Sequence, residues 1–256
     1  MTPGAAVAAT APKVKQIAPP KTVLMVGNSF TYYNNGVMNT LLPMLRETDP
    51  DNAKTYFFKQ MTISGASLSE HRFGFEGVAK SRKWDAVVLQ GNSTEPMVPT
   101  NEEELQALKR IQGASAPADP KAAAEEFKEY ARRYAKIIRE GGSQPVFFMT
   151  WAYTGQPGMT KPLAEAYTSI ANELDALVVP VGLAFERSLK VRPDLPMLIS
   201  DDRHPTPAGT YLIACTFYAA LTGKSPVGLK TDSGLGEQAK YLQTVAWDTV
   251  KEFYGR

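Results

Sequence analysis

Along the chain, short runs of apolar and β-branched residues alternate with longer segments whose apolar positions recur every three or four residues. The runs fall at 22–26, 56–63, 86–90, 145–151 and 176–181. Near-unbroken hydrophobicity in Val23-Leu24-Met25-Val26 and Val87-Val88-Leu89 is what strands covered on both faces require. Between the runs, apolar side chains at 37, 38, 41, 42, 44 and 45 follow a helical period, and 122–138 and 163–174 carry one charged and one apolar face. Thr206-Pro207 supplies an N-cap and a first-turn proline for a helix through the apolar run 211–221, and Gly223 supplies its stop. A last helix is expected over 237–253. The alternation predicts an α/β fold: a three-layer α/β/α sandwich around a central, mostly five-stranded parallel sheet.

Residues 1–20 are rich in Ala and Pro and lack apolar periodicity, which reads as a flexible tether ahead of a single domain over 21–256. The segment 94–120 reads as an insertion, with a short acidic helix near 101–111 and a Gly/Ala/Ser/Pro loop after it. With 256 residues, 43% of them hydrophobic, the chain is long enough to bury a real core. No apolar stretch approaches the roughly 20 residues that cross a bilayer. A net charge of +2 without a Lys/Arg run leaves no footprint for nucleic acid or anionic lipid, so the expected partner is a small-molecule substrate. The single cysteine, Cys215, excludes an internal disulfide and a cysteine-rich metal site, and its apolar surroundings predict a buried, inert thiol. Tethers of this composition often follow a cleaved export signal, so export to the periplasm or beyond is one expectation. A disulfide-free chain fits the cytoplasm as well.

The candidate chemistry lies where ligands of open parallel sheets bind, just after the strand runs. Gly27-Asn28-Ser29 follows the first run, Ser64-Gly65-Ala66-Ser67 the second, Gly91-Asn92-Ser93 the third and Thr150-Trp151-Ala152-Tyr153 the fourth. Further on comes Asp201-Asp202-Arg203-His204-Pro205. A nucleophilic hydroxyl needs a base within hydrogen-bond reach and a third group to hold that base in the useful tautomer. Ser29, His204 and Asp201 fill these roles. Only two histidines are present, and His71, in Leu68-Ser69-Glu70-His71-Arg72, reads as a surface or helix residue. Asp202 competes with Asp201, and the three-residue spacing to His204 favours Asp201. Trp151 and Tyr153 are either core aromatics or walls of the substrate pocket, where they join Asn28 as candidate substrate contacts; Met97-Val98-Pro99 is a candidate opposite wall.

These blocks, in this order, resemble those of the SGNH (GDSL-like) hydrolases over roughly residues 22–222. Gly27-Asn28-Ser29-Phe30-Thr31 is similar to the nucleophile block, with Asn28 where Asp is common. Ile63-Ser64-Gly65-Ala66-Ser67 and Leu89-Gln90-Gly91-Asn92 are similar to the second and third, and Ser93 replaces a usual Asp. Asp201-x-x-His204-Pro205 matches the last. The resemblance implies a serine esterase in which Ser29 attacks an acyl carbonyl, His204 shuttles the proton, and Asp201 orients His204. It also implies an oxyanion hole made by the N–H groups of Ser29 and Gly65 and the amide of Asn92, with no metal or cofactor. Small acyl esters, including O-acetyl groups of carbohydrates, are the expected substrates. Lipase and thioesterase activities are within the family's range, and a silent binding module keeping the fold is a rival from another class. A nucleotide-binding flavodoxin-like domain ranks last, because no Gly-rich phosphate loop follows the first strand.

Overall fold

The computed structural model describes residues 10–256. Five parallel strands form one sheet in the order β2-β1-β3-β4-β5: β1 Thr22–Gly27, β2 Phe57–Thr62, β3 Ala86–Leu89, β4 Gln144–Phe148 and β5 Leu177–Val179. Val23 of β1 stands opposite Ala86 of β3, and Thr22 opposite Phe57 of β2. Alternation along the strands divides the core into two. Val23, Met25, Val88, Val146 and Phe148 point into the cluster beneath α2 (Val37–Thr48), α7 (Val181–Val191), α8 (Pro207–Thr222) and α9 (Glu237–Tyr254). Leu24, Val26, Val87, Leu89 and Phe147 point the other way, under α3 (Phe75–Ala79), α5 (Pro120–Glu140) and α6 (Thr160–Glu173). Two buried faces explain why the strand runs are apolar throughout. The result is the three-layer α/β/α sandwich.

Helix α8 packs between the sheet and α9 and is buried on nearly every side, which accounts for its lack of a polar face. Its ends follow the capping residues: Thr206 Oγ1 accepts from the Gly209 N–H at 3.0 Å, and Gly223 takes the left-handed conformation at φ 70°. Cys215 lies on this helix, and burial pushes its thiol well up, leaving it protonated and inert.

The tether expected over 1–20 is corrected where it is described. Val14 forms a parallel bridge to Leu177 of β5, the Lys13 N–H donates to Asn172 Oδ1 at 2.7 Å, and Ile17 packs against the core. β5 is an edge strand, and this segment covers its open backbone groups. Positions 1–9 of the tether lie outside the described residues. The segment 94–120 holds α4 (Glu102–Gln112) and a 3₁₀ turn at Gly113–Ser115, tied to the domain by Gln112 Nε2, which donates to Thr94 Oγ1 and the Tyr153 hydroxyl. Among the described residues, no helix is long and apolar enough to cross a membrane.

Candidate active site

The carboxyl ends of β1, β2 and β3 converge on one cleft of about 330 Å³, lined among others by Ser29, Tyr33, Gly65, Asn92, Ser115 and His204. Ser29 opens α1 (Ser29–Tyr32), a single turn that starts directly after β1. The turn is held from below. Asn28 Oδ1 accepts from the Phe30 N–H at 3.1 Å and from Gln90 Nε2 at 2.9 Å, while Asn28 Nδ2 donates to the Ala66 carbonyl at 3.0 Å. Gln90 Oε1 in turn accepts from the Asn28 N–H at 3.1 Å and the Thr31 hydroxyl at 2.9 Å. Gly27 leaves room for this amide: a Cβ there would sit 2.4 Å from Gln90 Oε1. The crosslink between the ends of β1 and β3 presents Ser29 at the cleft, where it is half-buried.

His204 is carried by the loop between α7 and α8. Leu198 and Pro205 form an antiparallel bridge, the Ile199 N–H donates to the His204 carbonyl at 2.9 Å, and the Thr154 N–H donates to the Asp202 carbonyl at 3.1 Å. Within this pinched loop, His204 Nε2 lies 2.7 Å from Ser29 Oγ and Nδ1 lies 2.5 Å from Asp201 Oδ2. The other Asp201 oxygen accepts the backbone N–H groups of Arg203 at 3.1 Å and His204 at 2.9 Å. Partial burial works to raise the Asp201 pKa, but the hydrogen bonds from the His204 backbone, the His204 ring and the Arg203 backbone outweigh it, and the net shift is downward. Asp201 therefore stays an anion able to hold Nδ1–H, which leaves the Nε2 lone pair facing Ser29. Asp202 turns away at φ 67° and pairs with Arg110 of α4 at 3.6 Å. The Tyr33 ring stacks on the imidazole at 4.6 Å, and Phe30 meets it edge-on at 5.6 Å.

Gly65 takes φ 68°, a conformation that favours glycine, and a Cβ there would meet nothing within 4 Å, so its backbone is open to the cleft. Among the described residues neither the Ser29 nor the Gly65 N–H has an acceptor within the protein. Asn92 Nδ2 donates to the Gly65 carbonyl at 2.7 Å, which sets its amide in the cleft beside them. Ser93 adopts φ 50°, with its hydroxyl 2.6 Å from that of Tyr153 and its carbonyl accepting from Thr150 Oγ1 at 2.6 Å.

The three candidate substrate contacts lie elsewhere. Asn28 is 1% exposed and spends its amide on the loop bonds described above. Trp151 is fully buried, stacked between Phe30 at 4.3 Å and Phe185 at 4.5 Å, with its indole N–H donating to the Arg203 carbonyl at 2.9 Å. It supports the histidine loop from beneath. Tyr153, 2% exposed, aims its hydroxyl at Ser93 and Gln112, and the groove it does line is a separate apolar one of about 420 Å³ floored by Phe185 and Met197. β4 ends at Phe148, so these side chains follow the loop rather than the strand's alternation. Met97 is buried in the core rather than set as a cleft wall; His71 lies on the 3₁₀ helix Leu68–Phe73, as one of its two expected places had it, but buried at 1% exposed rather than on the surface, with burial lowering its pKa. The sequence does not foretell that Tyr33 stacks on His204 or that Gln90, a polar residue ending an apolar strand, ties the third block to the nucleophile turn.

By sequence, the chain matches no protein-family model and no curated protein. Solved structures do match its fold. A DUF4886 family protein from Bacteroides uniformis aligns with a TM-score of 0.59 and 17% identity over 91% of this chain and 95% of its own. A mutant of Axe2, an acetyl-xylooligosaccharide esterase from Geobacillus stearmophilus, gives 0.59 and 17% over 84% and 98%. A candidate SGNH hydrolase from Slackia heliotrinireducens gives 0.53 and 21% over 78% and 97%.

Proposed function

The chain has the fold of the SGNH (GDSL-like) hydrolases, and from that premise we propose that it is a serine ester hydrolase acting on small acyl esters, O-acetylated carbohydrates among them. One observation carries the reading: Asp201, His204 and Ser29 form a continuous hydrogen-bonded chain at 2.5 and 2.7 Å, although Ser29 and His204 are 175 positions apart. Nothing in local folding requires that meeting.

In this reading Ser29 Oγ attacks the acyl carbonyl while its proton passes to His204 Nε2, and Asp201 stabilises the resulting imidazolium. The N–H groups of Ser29 and Gly65 and the Asn92 amide receive the developing oxyanion, each such donor being worth about 3 kcal/mol of barrier. Collapse of the tetrahedral intermediate breaks the ester C–O bond, and His204 gives its proton to the departing alcohol. Water, deprotonated by His204, then attacks the acyl-Ser29 ester and releases the acid and the free serine. These steps need no metal or redox partner.

The cleft supports the short-acyl substrate class. At about 330 Å³ it sits at the small end of ligand sites, and Tyr32, Ser64, Asn92, Ser93 and Ser115 make its lining largely polar. The apolar groove beside Tyr153 shares no lining residue with it, and the cavity of about 380 Å³ that adjoins it through Gly65, Asn92 and Ser115 is lined by Ser67, Glu70, Glu95 and Glu126, groups that suit a hydroxylated alcohol portion better than a long acyl chain. The acetyl-xylooligosaccharide esterase among the structural neighbours agrees in chemistry with this reading.

A fluorophosphonate probe should label Ser29, and Ser29→Ala should abolish labelling and ester hydrolysis without loss of fold. Across acyl esters from acetyl to dodecanoyl, and acetylated oligosaccharides, kcat/KM should be highest for acetyl. Labelling at another serine would overturn the nucleophile. A specificity constant rising with chain length would favour a lipase, and a folded protein silent on every ester would favour a binding module.

A further inference from the structure

Glu95 is a buried carboxylate that the proposed reaction does not use. It is 7% exposed and lies at the base of the two loops that carry Gly65 and Asn92. Its Oε2 accepts from the Asn92 backbone N–H at 2.6 Å and from the Leu68 N–H at 3.1 Å, and Oε1 lies 3.2 Å from the same Leu68 nitrogen. The Glu95 N–H itself donates to the Asn92 carbonyl at 2.7 Å. Asn92 Nδ2 reaches across to the Gly65 carbonyl at 2.7 Å, and Leu68 is three residues beyond Gly65. The contacts close a ring: Glu95 to Asn92, Asn92 to Gly65, the chain from Gly65 to Leu68, and Leu68 back to Glu95. Tyr134, whose hydroxyl donates to the Leu68 carbonyl at 3.2 Å, fixes that corner to α5.

We propose that Glu95 is a positioning residue, which locks the second and third loops together so that the Gly65 N–H and the Asn92 amide face one point in the cleft. The inference rests on the esterase reading, because it is the oxyanion that gives this geometry its use. Oxyanion donors stabilise a transition state only when pre-set within a few tenths of an ångström of the developing charge, and two loops from different strands have no shared backbone to set them. The second loop has anchors of its own. Ser67 and Glu70 cap the 3₁₀ turn at Leu68–Phe73, and Asn28 holds the Ala66 carbonyl. Glu95 adds a buried bridge from the Asn92 N–H of one loop to the Leu68 N–H of the other, beside the exposed Asn92 Nδ2 bond to the Gly65 carbonyl.

The neighbours of the carboxyl are consistent with a neutral hydrogen-bonding bolt rather than an ion pair. Burial, with the nearby Glu126 and Glu70 acting in the same direction and the bonds from the Asn92 and Leu68 N–H groups opposing, leaves its pKa raised to about 8. Oε2 accepts both N–H groups whether or not the carboxyl carries a proton, and the carbonyl oxygen of a glutamine can keep both bonds.

The test compares Glu95→Ala and Glu95→Gln on acetyl ester hydrolysis, with thermal unfolding and Ser29 labelling as controls. Deleting the bolt displaces donors without removing them, so kcat in Glu95→Ala should fall about 10- to 100-fold, less than the 10²- to 10³-fold cost of losing a donor outright. KM should stay within about threefold, and Glu95→Gln should recover most of kcat. In an Asn92→Ala background, Glu95→Ala should cost markedly less than in the parent, because part of its effect passes through Asn92. A folded Glu95→Ala protein with parental kcat, or additive losses in the double variant, overturns the proposal. Should Glu95→Ala not fold, Glu95→Asp withdraws the carboxylate by one methylene, and parental kcat there overturns it too. Failure of the parent enzyme to hydrolyse any ester would count against the esterase reading and leaves a distinct signature from these outcomes.

Discussion

Asp201→Asn separates an orienting carboxylate from one that merely lies near a histidine. The substituted side chain keeps its Oδ1, which still accepts the Arg203 and His204 N–H groups at 3.1 and 2.9 Å, so the loop should hold its shape. The amide nitrogen replaces Oδ2, 2.5 Å from His204 Nδ1. Two losses follow. The charge-assisted bond to the ring disappears, worth about 1.5–3 kcal/mol. The amide also donates to Nδ1, which favours the tautomer with its proton on Nε2, pointing a donor at Ser29 where an acceptor is needed; that preference adds about 0.5–1.5 kcal/mol. Together they come to about 2–4.5 kcal/mol, or about 30- to 2000-fold in kcat at about 1.36 kcal/mol per tenfold. The 38% side-chain exposure of Asp201 lets water replace part of the lost bond, which points to the lower half of that range. Steady-state hydrolysis of an acetyl ester, the rate of fluorophosphonate labelling of Ser29 and a thermal unfolding curve measure the effect. A folded Asp201→Asn enzyme within threefold of parental kcat, or a larger loss in Asp202→Asn, would refute the assignment.

Asn92→Ala should lower kcat on the same ester by about 10²- to 10³-fold with a smaller change in KM, since its amide meets charge that develops in the transition state; near-parental kcat would remove Asn92 from the oxyanion site. Glu95 also predicts a pH signature in stability. Its folded pKa of about 8 stands above the ordinary 4.5, so the fold prefers the protonated form. That contribution is fully present below the unfolded pKa and is lost as pH rises toward about 8, with a slope of at most about 1.36 kcal/mol per pH unit. Urea unfolding of Glu95→Gln, which cannot ionise, should show a flatter decline between pH 5 and 8 than the parent; parallel curves would contradict the buried-carboxyl description.

Much of the architecture was legible in one dimension because it follows from period and punctuation. Apolar runs without alternation meant strands covered on both faces, and the core divides across them as Val23 and Met25 against Leu24 and Val26. Thr206-Pro207 and Gly223 mark the ends of α8 because caps act within one turn of backbone. Ser29, Asp201 and His204 stood out because residue type and spacing narrow such chemistry sharply in a chain with two histidines. Tertiary structure alone decided which way the loop side chains point. Asn28, Trp151 and Tyr153 follow strands and carry groups suited to binding, yet each is buried by contacts with distant residues: Gln90 and Ala66 for Asn28, Phe185 and Arg203 for Trp151, Gln112 for Tyr153. Period-two alternation stops where the strand stops, so past Phe148 no local rule assigns a face. The spacing of Asn92 and Glu95 resembles a local cap, and half of it is one, but the bond to Leu68 spans 27 positions and exists only once β2 and β3 flank β1 in the folded sheet.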